Sequence, residues 1–357
     1  MKFASTATAL AFAFAGSAWA QSSVTLSGIA DAAARSVSNE GSGSVKSLVS
    51  GSNSTSRLVF RGSEDLGGGL SASFWLEHGI ALDSGAASGG TQFYDRRSTV
   101  SLASAAAGEV RLGRDYVPTY TVWVRHDPFS HVGVAGSNNF GGSGPTGPIR
   151  AAFGTNPNTT VRSNNSLQFL LPGGLGGLEG GVMVAAGEGG TAASGADKLI
   201  GARLGWSAGG YGVVVATTRT SNDLTGSSNK FKDTVIGANA SIDALKLTAA
   251  WRQFKYTTAK QTNTLLSAVY SVGPHDLKAS YLRGNLAGQV GATTIDANDA
   301  TQLGLGYVYN LSKRSALYAT YARIDNDGLA NFVIPGGPTL VAGRKSTGYE
   351  AGLRHSF

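Results

Sequence analysis

One pattern runs along most of this 357-residue chain: short segments in which apolar and polar residues alternate. About sixteen such segments, each of roughly 8–11 residues, follow position 21. Examples are "RLVFRGSED", "GEVRLGR", "KLIGARLGW" and "DLKASYLRG". Alternation with a period of two places successive side chains on opposite faces of a β-strand. The chain is therefore predicted to be all-β, in a sheet whose two faces differ in polarity.

The connections between the segments are of two kinds that alternate. "LGGG", "SAGG" and "NLSKRS" are tight, whereas "SVSNEGSGSVKSLVSGSNST" and "DNDGLANFVIPGGPTLVAGRK" are long. A barrel that crosses a bilayer has this asymmetry, with short turns on one side and long loops on the other. Tyrosines near strand ends are typical of the aromatic girdles of such barrels: Tyr307, Tyr309, Tyr318 and Tyr321. These features favour a membrane barrel over a soluble secreted β-sandwich or barrel, which alternation alone does not exclude.

Both ends of the chain carry signals of their own. Lys2, the apolar run "ATALAFAFAG" and the small residues Ala18 and Ala20 are typical of a cleavable signal peptide over residues 1–20. The domain prediction is accordingly a signal peptide at 1–20 and a barrel at 21–357. The last segment, "GYEAGLRHSF", places Tyr349 and Phe357 on its more apolar face, with Phe357 as the terminal residue.

Composition adds few constraints. The chain contains 51 glycines and no cysteine, so disulfides and thiolate metal sites are excluded. The formal net charge of +7 suggests anionic partners without identifying them. The five histidines show no metal-binding spacing, and we expect no metal, no cofactor and no nucleic-acid partner.

The alternation also predicts which charges face the lumen. In "RLVFR", Leu58 and Phe60 should face lipid, which turns Arg57, Val59 and Arg61 inward. The same reasoning in the neighbouring segments turns further residues inward: Ser73, Trp75, Glu77, Glu109 and Arg111. In "RRSTVSL" the alternation points Arg97, rather than Arg96, toward the lumen.

Five parts of the sequence together resemble the general porins of Gram-negative bacteria, specifically the β-proteobacterial type. They are "STSRLVFRGSEDLGGGLSASFWLE", "RRSTVSL", "GEVRLGR", "NLSKRSALYA" and the terminal Phe357. The resemblance spans the whole mature chain. It implies a sixteen-stranded antiparallel transmembrane β-barrel that forms homotrimers and folds its third long loop into the lumen. Here that loop is the proline-containing stretch from Arg114 to Arg162.

The resemblance also implies roles for individual residues. It favours Arg96 over Arg97 at the pore constriction, and a β-bulge near the strand end would reconcile the two assignments. It adds Arg162 to Arg57 as a constriction residue and Phe357 as the signal read by the outer-membrane assembly machinery. The predicted anion path is Arg57, Arg96, Arg97, Arg111 and Arg162, with Glu77, Asp115 and Asp127 as acidic partners. Each arginine could instead be a solvated lumen residue or one half of a structural ion pair.

The function predicted from the sequence is an outer-membrane diffusion channel for small hydrophilic solutes and ions. Stacked guanidinium groups would make it selective for small anions. The alternative within this class is a substrate-specific channel for phosphate or organic-acid anions. The expected partners are lipid and lipopolysaccharide of the outer membrane, the assembly machinery and further copies of the chain.

Two other classes remain as alternatives. A barrel enzyme would need catalytic groups at the rim, and "GWSAG" (Gly205–Gly209) has the spelling of a nucleophile elbow. It lies between two strand patterns, where a hairpin turn is the simpler interpretation. A plugged structural or adhesion barrel would need a plug domain, for which the sequence shows no candidate.

Overall fold

The computed structural model describes residues 23–90, 92–141, 147–155, 158–187, 198–221 and 229–357. The predicted signal peptide lies outside the described residues. The described strands are β1 (Ser23–Asn39), β2 (Gly43–Ser50), β3 (Arg57–Gly67), β4 (Leu70–Ala81), β5 (Ala86–Ala87), β6 (Arg97–Ser104), β7 (Gly108–Tyr116), β8 (Arg162–Leu170), β9 (Leu178–Ala185), β10 (Leu199–Ala208), β11 (Tyr211–Ser221), β12 (Lys230–Ile242), β13 (Leu245–Tyr256), β14 (Ala259–Val272), β15 (His275–Ala287), β16 (Gln289–Val290), β17 (Thr293–Thr294), β18 (Ala300–Asn310), β19 (Ser315–Asn326) and β20 (Ser346–Ser356).

The strands form a closed antiparallel barrel. Each barrel strand pairs with its neighbour along the chain, and the last strand, β20, pairs with β1 from Ile29–Ser356 to Asn39–Ser346. The main sheet contains eighteen strands. β2 and β3 both pair with β1 and together form one interrupted barrel strand, and β5 is a two-residue strand within a loop. The barrel therefore has sixteen strands. The predicted all-β barrel is confirmed.

The barrel wall has one apolar and one polar face, as the alternation predicts. In β6, Val100 is 55% exposed on the outside, whereas Thr99 is 5% exposed on the inside. Tyr307 and Tyr309 also lie outside and are partly exposed. The prediction for Tyr318 was wrong: this residue points inward, is buried, and its hydroxyl donates to Asp31.

The first predicted long loop is largely a hairpin. Residues 36–50 continue β1 and form β2, with Ser36 opposite Lys46 and Val37 opposite Val45. Serine and glycine dominate this stretch, so its period of two is hard to recognise in the sequence. Only residues 51–56, at and just after the end of the predicted loop, separate β2 from β3. Its Asn53 and Ser54 backbone N–H groups donate to Asp31 Oδ2 at 2.9 and 2.7 Å.

The third loop spans residues 117–161, and the part of it that the structure describes is folded into the barrel. Its described part contains helices α1 (Pro118–Val124) and α2 (Pro148–Phe153) and a 3-10 turn at Ser137–Phe140. Wall side chains bind its backbone over several strands: Thr248 Oγ1 donates to His126 O (2.7 Å), Lys278 Nζ to Pro128 O (2.9 Å) and Gln302 Nε2 to Ala135 O (2.9 Å). Glu350 Oε1 accepts from the Val134 N–H at 3.2 Å. The loop is therefore attached to the wall formed by β13, β15, β18 and β20. Of the helices in the described part of the chain, none is long and apolar enough to span a membrane.

The "GWSAG" stretch belongs to a hairpin. Its first four residues end β10, and Gly209 and Gly210, both with positive φ, form the turn into β11. The strand-to-helix turn of a nucleophile elbow is not present at this position.

The terminal residue closes the barrel. The Phe357 and Gly28 backbones exchange two hydrogen bonds, at 3.0 and 3.1 Å, and the Phe357 ring lies over Gly28. A Cβ added at Gly28 would lie 2.4 Å from the ring and 2.6 Å from the Arg57 carbonyl oxygen. Glycine is therefore required where the two ends of the barrel meet.

We expect Gly28→Ala to lower the temperature at which the folded barrel unfolds, because the methyl group must displace the Phe357 ring and the backbone. Electrophoresis of samples heated to increasing temperatures measures that transition. Gly173→Ala is the matched control, since an added Cβ meets nothing within 4 Å there. Equal unfolding temperatures for the two variants would contradict the role of this contact.

Candidate pore constriction

Three arginines and one glutamate meet where the infolded loop approaches the wall of β3, β4 and β6. Glu77 in β4 accepts from Arg96 Nε at 2.5 Å, and Arg57 Nε lies 3.5 Å from the same oxygen. The Trp75 indole N–H donates to the other Glu77 oxygen at 3.2 Å. Glu77 thus holds two guanidinium groups side by side and is itself buried.

Tyr116 connects the third arginine to this group. Its hydroxyl accepts from Arg96 Nη2 at 2.9 Å and from Arg162 Nη2 at 3.2 Å. The Arg162 guanidinium also lies 4.7 Å from the centre of the Tyr116 ring, a cation–π geometry. Arg162 Nε is buried without a hydrogen-bond partner among the described residues. We call Arg57, Arg96, Arg162, Glu77 and Tyr116 the upper cluster.

Arg57, Arg96 and Tyr116 of the upper cluster line a cavity of about 300 Å³ between the wall and the loop. The loop side is formed by Tyr120, whose ring stacks on Tyr116 at 5.1 Å, and by Thr121, Val124 and Ser130. Ser54 and Thr55, from the interruption between β2 and β3, complete the lining. Two infolded segments therefore narrow the lumen at the same place.

A second set of charges lies in β6 and β7. Arg111 binds Glu109 and Asp115, with Nη1 2.9 Å from Asp115 Oδ2. Arg97 Nε lies 3.7 Å from Asp115 Oδ2 and donates to Thr99 Oγ1 at 3.1 Å. Asp115 is thus the shared partner of two predicted path arginines. Glu109 and Asp115 balance the charges of Arg97 and Arg111.

Both arginines of the "RR" pair face inward, at different places. The β4–β6 pairing runs regularly from Leu70–Ser104 to Glu77–Arg97, without the bulge that we expected. Arg97 is the first residue of β6 and follows the alternation. Arg96 precedes the strand, so the alternation does not apply to it, and its side chain turns back to Glu77.

Asp127 does not lie with the arginines. Its Oδ1 accepts from the Phe129 N–H at 2.8 Å. Its Oδ2 accepts from the His131 N–H and from the N–H and hydroxyl of Ser137, at 3.0, 2.8 and 2.6 Å. The assignment of Asp127 as an acidic partner of the arginines therefore has to be corrected. Its carboxylate holds the loop together from inside.

Burial alters the titration of the loop groups around Asp127. Burial raises the pKa of Asp127, against the four donors that favour the carboxylate. Burial, together with the positive charges of Arg252 and Arg162, lowers the pKa of His131 to about 3. His131 is therefore neutral at neutral pH, so it adds no charge to the lumen.

The sequence did not identify Tyr116 or Tyr120 as site residues. Pro118, the first residue of α1, is a local signal for a helix start there. It places Tyr120 in the first turn of a helix but gives no position for Tyr116, which ends β7. The contribution of Ser54 and Thr55 had no comparable signal, because it depends on Asp31 in the adjacent strand.

The upper cluster has an excess of positive charge: three guanidinium groups against one carboxylate. Guanidinium groups remain charged at any usable pH. Such a cluster beside a narrow water-filled cavity raises the local concentration of anions and lowers that of cations.

Comparison with known proteins identifies the family. Residues 6–329 match the family model described as Gram-negative porin. The chain belongs to the Gram-negative porins. Outer membrane porin protein 32 of Delftia acidovorans is 36% identical over 363 residues, which cover 97% of each chain. An outer membrane porin of Bordetella pertussis is 30% identical over 186 residues, 48% of this porin and 45% of that protein.

The solved structures agree with the barrel fold. The anion-selective porin from Comamonas acidovorans superimposes with a TM-score of 0.83 at 33% identity, covering 94% of this porin and 100% of that chain. OmpF of Salmonella typhi superimposes with a TM-score of 0.66 at 16% identity, covering 94% of this porin and 97% of that chain. This likeness supports the fold alone. The porin described here is thus a channel in the outer membrane of a Gram-negative bacterium.

Proposed function

We propose that this porin is an anion-selective diffusion channel for small hydrophilic solutes and that its selectivity arises at the upper cluster. Arg57, Arg96 and Arg162 form the constriction, Glu77 and Tyr116 hold them in place, and Arg97 and Arg111 with Asp115 continue the anion path. The single observation that carries this proposal is the excess of guanidinium over carboxylate groups in the upper cluster, two of whose arginines line the 300 Å³ cavity. The anion selectivity named for the Comamonas porin supports it.

The test is the zero-current potential of the purified porin in a planar bilayer under a KCl gradient. K⁺ and Cl⁻ diffuse almost equally fast in water, so the sign of the potential reports the charge of the pore. We expect Cl⁻ preference. A potential of the opposite sign, or none, would contradict the proposal. A conductance that saturates at low concentrations of phosphate or an organic acid would instead indicate a substrate-specific channel.

The remaining predictions concern assembly. We propose export by cleavage of residues 1–20, a homotrimer, and recognition of the terminal Phe357 by the assembly machinery. OmpT of Vibrio cholerae, which shares the fold, is described in a trimer form, and this supports the proposed trimer. A channel role without enzymatic activity agrees with the family. A detergent-extracted complex that migrates as a monomer before heating would contradict the trimer.

A further inference from the structure

A second chamber lies on the tight-turn side of the upper cluster. Arg61 follows Arg57 by four residues along β3, toward the turn that joins β3 to β4. The chamber has a volume of about 420 Å³ and is bordered by Arg61, Trp75, Arg97 and Arg111 together with serine and threonine side chains. Glu109 also borders it, and its carboxylate is paired with Arg111 at 2.8 Å. We call it the lower chamber.

The strand register explains why these groups meet. Arg61 lies opposite Trp75, and Trp75 lies opposite Thr99, so the three residues form one row across β3, β4 and β6. The next row toward the tight turns consists of hydroxyl side chains: Ser23, Ser63, Ser73 and Ser101. All of these positions face inward because they share the phase of Arg57 and Glu77. One wall of the lower chamber thus combines cations, an aromatic face and hydroxyl donors.

Arg61 differs from the other arginines of this wall. Arg97 and Arg111 both have Asp115 within ion-pair distance. Arg61 is exposed to the chamber and forms neither an ion pair nor a hydrogen bond with any of the described residues. Its contact is with the Trp75 ring, whose centre lies 5.6 Å from the guanidinium carbon. It can therefore donate to a solute without losing a protein partner.

Trp75 offers a fixed aromatic surface between two cations. The Arg97 guanidinium carbon lies 4.6 Å from its ring centre, and the indole N–H is held by Glu77. The side chain is only partly buried, so part of the ring remains accessible from the chamber. A flat apolar body beside this ring can stack on it while its anionic group is bound by Arg61.

These features match one class of solute better than small inorganic ions. Chloride would gain from the charges but nothing from an indole face. A short aliphatic carboxylate would use Arg61 and the hydroxyls but would stack poorly. An aryl carboxylate would use the guanidinium, the hydroxyl donors and the ring at the same time, and the chamber has the size of an ordinary small-molecule site.

We propose that the lower chamber is a binding station for organic anions with a flat apolar body, and for aryl carboxylates above all. The proposal rests on the proposed function, since such solutes reach the chamber only if the pore admits anions. Binding there is weak and reversible, so the solute slows the passage of smaller ions while it occupies the chamber.

The test is inhibition of the chloride current by benzoate, compared with acetate as a carboxylate without a ring. Benzoate added on the tight-turn side should reduce the current at lower concentration than acetate does. Arg61→Gln and, separately, Trp75→Leu should each raise the half-inhibitory concentration of benzoate about tenfold. For acetate, Trp75→Leu should change little, because acetate does not use the ring.

Arg323→Gln is the charge-matched control. Arg323 pairs with Asp325 near the end of β19, away from the chamber, and its replacement should leave benzoate inhibition unchanged. Equal inhibition by benzoate and acetate in the wild-type porin would overturn the proposal, as would unaltered benzoate inhibition in Arg61→Gln. These outcomes are separate from failure of the proposed function, which the zero-current potential in KCl alone reveals. If Trp75→Leu fails to fold, benzoate inhibition of Arg61→Gln still tests the proposal.

Discussion

Replacement of Arg57, Arg96 and Arg162 together by glutamine will turn the channel from anion-selective to cation-selective. Arg57 and Arg96 contact the single carboxylate and Arg162 is joined to them through Tyr116, so the variant leaves Glu77 as the only charge of the upper cluster. One unit charge about 4 Å from an ion changes its energy by about 1 kcal/mol in water, roughly a fivefold change in local concentration. The loss of three such charges is enough to reverse the sign of the zero-current potential in a KCl gradient.

Two further variants distinguish the effect of lost charge at the upper cluster from the effects of altered structure and of lost charge elsewhere. Arg57→Gln with Arg162→Gln keeps the 2.5 Å contact between Arg96 and Glu77, leaves no net charge, and should give a nearly unselective pore. Glutamine at Arg314, Arg323 and Arg344, in a turn, at a strand end and in a loop, removes equal charge elsewhere and should preserve Cl⁻ preference. Persistent anion selectivity in the triple upper-cluster variant would assign the selectivity to Arg61, Arg97 and Arg111 instead.

Asp127→Asn will loosen the infolded loop while the barrel stays folded. The buried carboxylate accepts four hydrogen bonds, three of them at Oδ2. The amide N–H₂ group faces the Phe129 N–H if it replaces Oδ1, and the donors of His131 and Ser137 if it replaces Oδ2. A buried donor left without its acceptor costs about 1–3 kcal/mol. We expect single-channel records with larger open-state current noise, because the loop that borders the cavity samples several positions.

The barrel itself should tolerate this change, since its strands are held by their own ladders. Circular dichroism should therefore show an unaltered β content. Asp243→Asn is the control: Asp243 is exposed in the β12–β13 turn with φ 49°, a conformation that asparagine adopts readily. If the open-state current noise of the Asp127 variant equals that of this control, the contacts between loop and wall hold the loop in place without the Asp127 carboxylate.

The residues on the strands could be placed from the sequence because lipid and water impose opposite demands on the two faces. Leu58 and Phe60 outside and Arg57 and Arg61 inside follow from one rule, and the structure places them accordingly. The rule fails where polarity no longer differs between the faces. It missed the hairpin of β1 with β2, whose serines and glycines carry little contrast, and it put Tyr318 on the wrong side.

The residues on loops could not be placed in this way, because their positions depend on partners far along the chain. Asp127 was expected beside the arginines, yet its neighbours are the N–H groups of its own loop. Tyr116 became a site residue through Arg96, which precedes β6, and Arg162, which begins β8. A β-bulge was offered to explain how Arg96 could face inward, whereas Arg96 lies before the first residue of β6 and is not bound by the alternation.

The attachment of the infolded loop has a consequence for the order of biogenesis. Residues 117–161 lie in the first half of the chain, but Val134 binds Glu350 of the last strand, and Glu350 is held in turn by Arg35 of the first, at 2.8 Å. Contacts between such distant residues form only after both ends of the sheet have met. A sheet that lacks its last strand therefore lacks the contact between Glu350 and the infolded loop. Under the proposed function, the selectivity of this channel is therefore complete only once the first and last strands have paired.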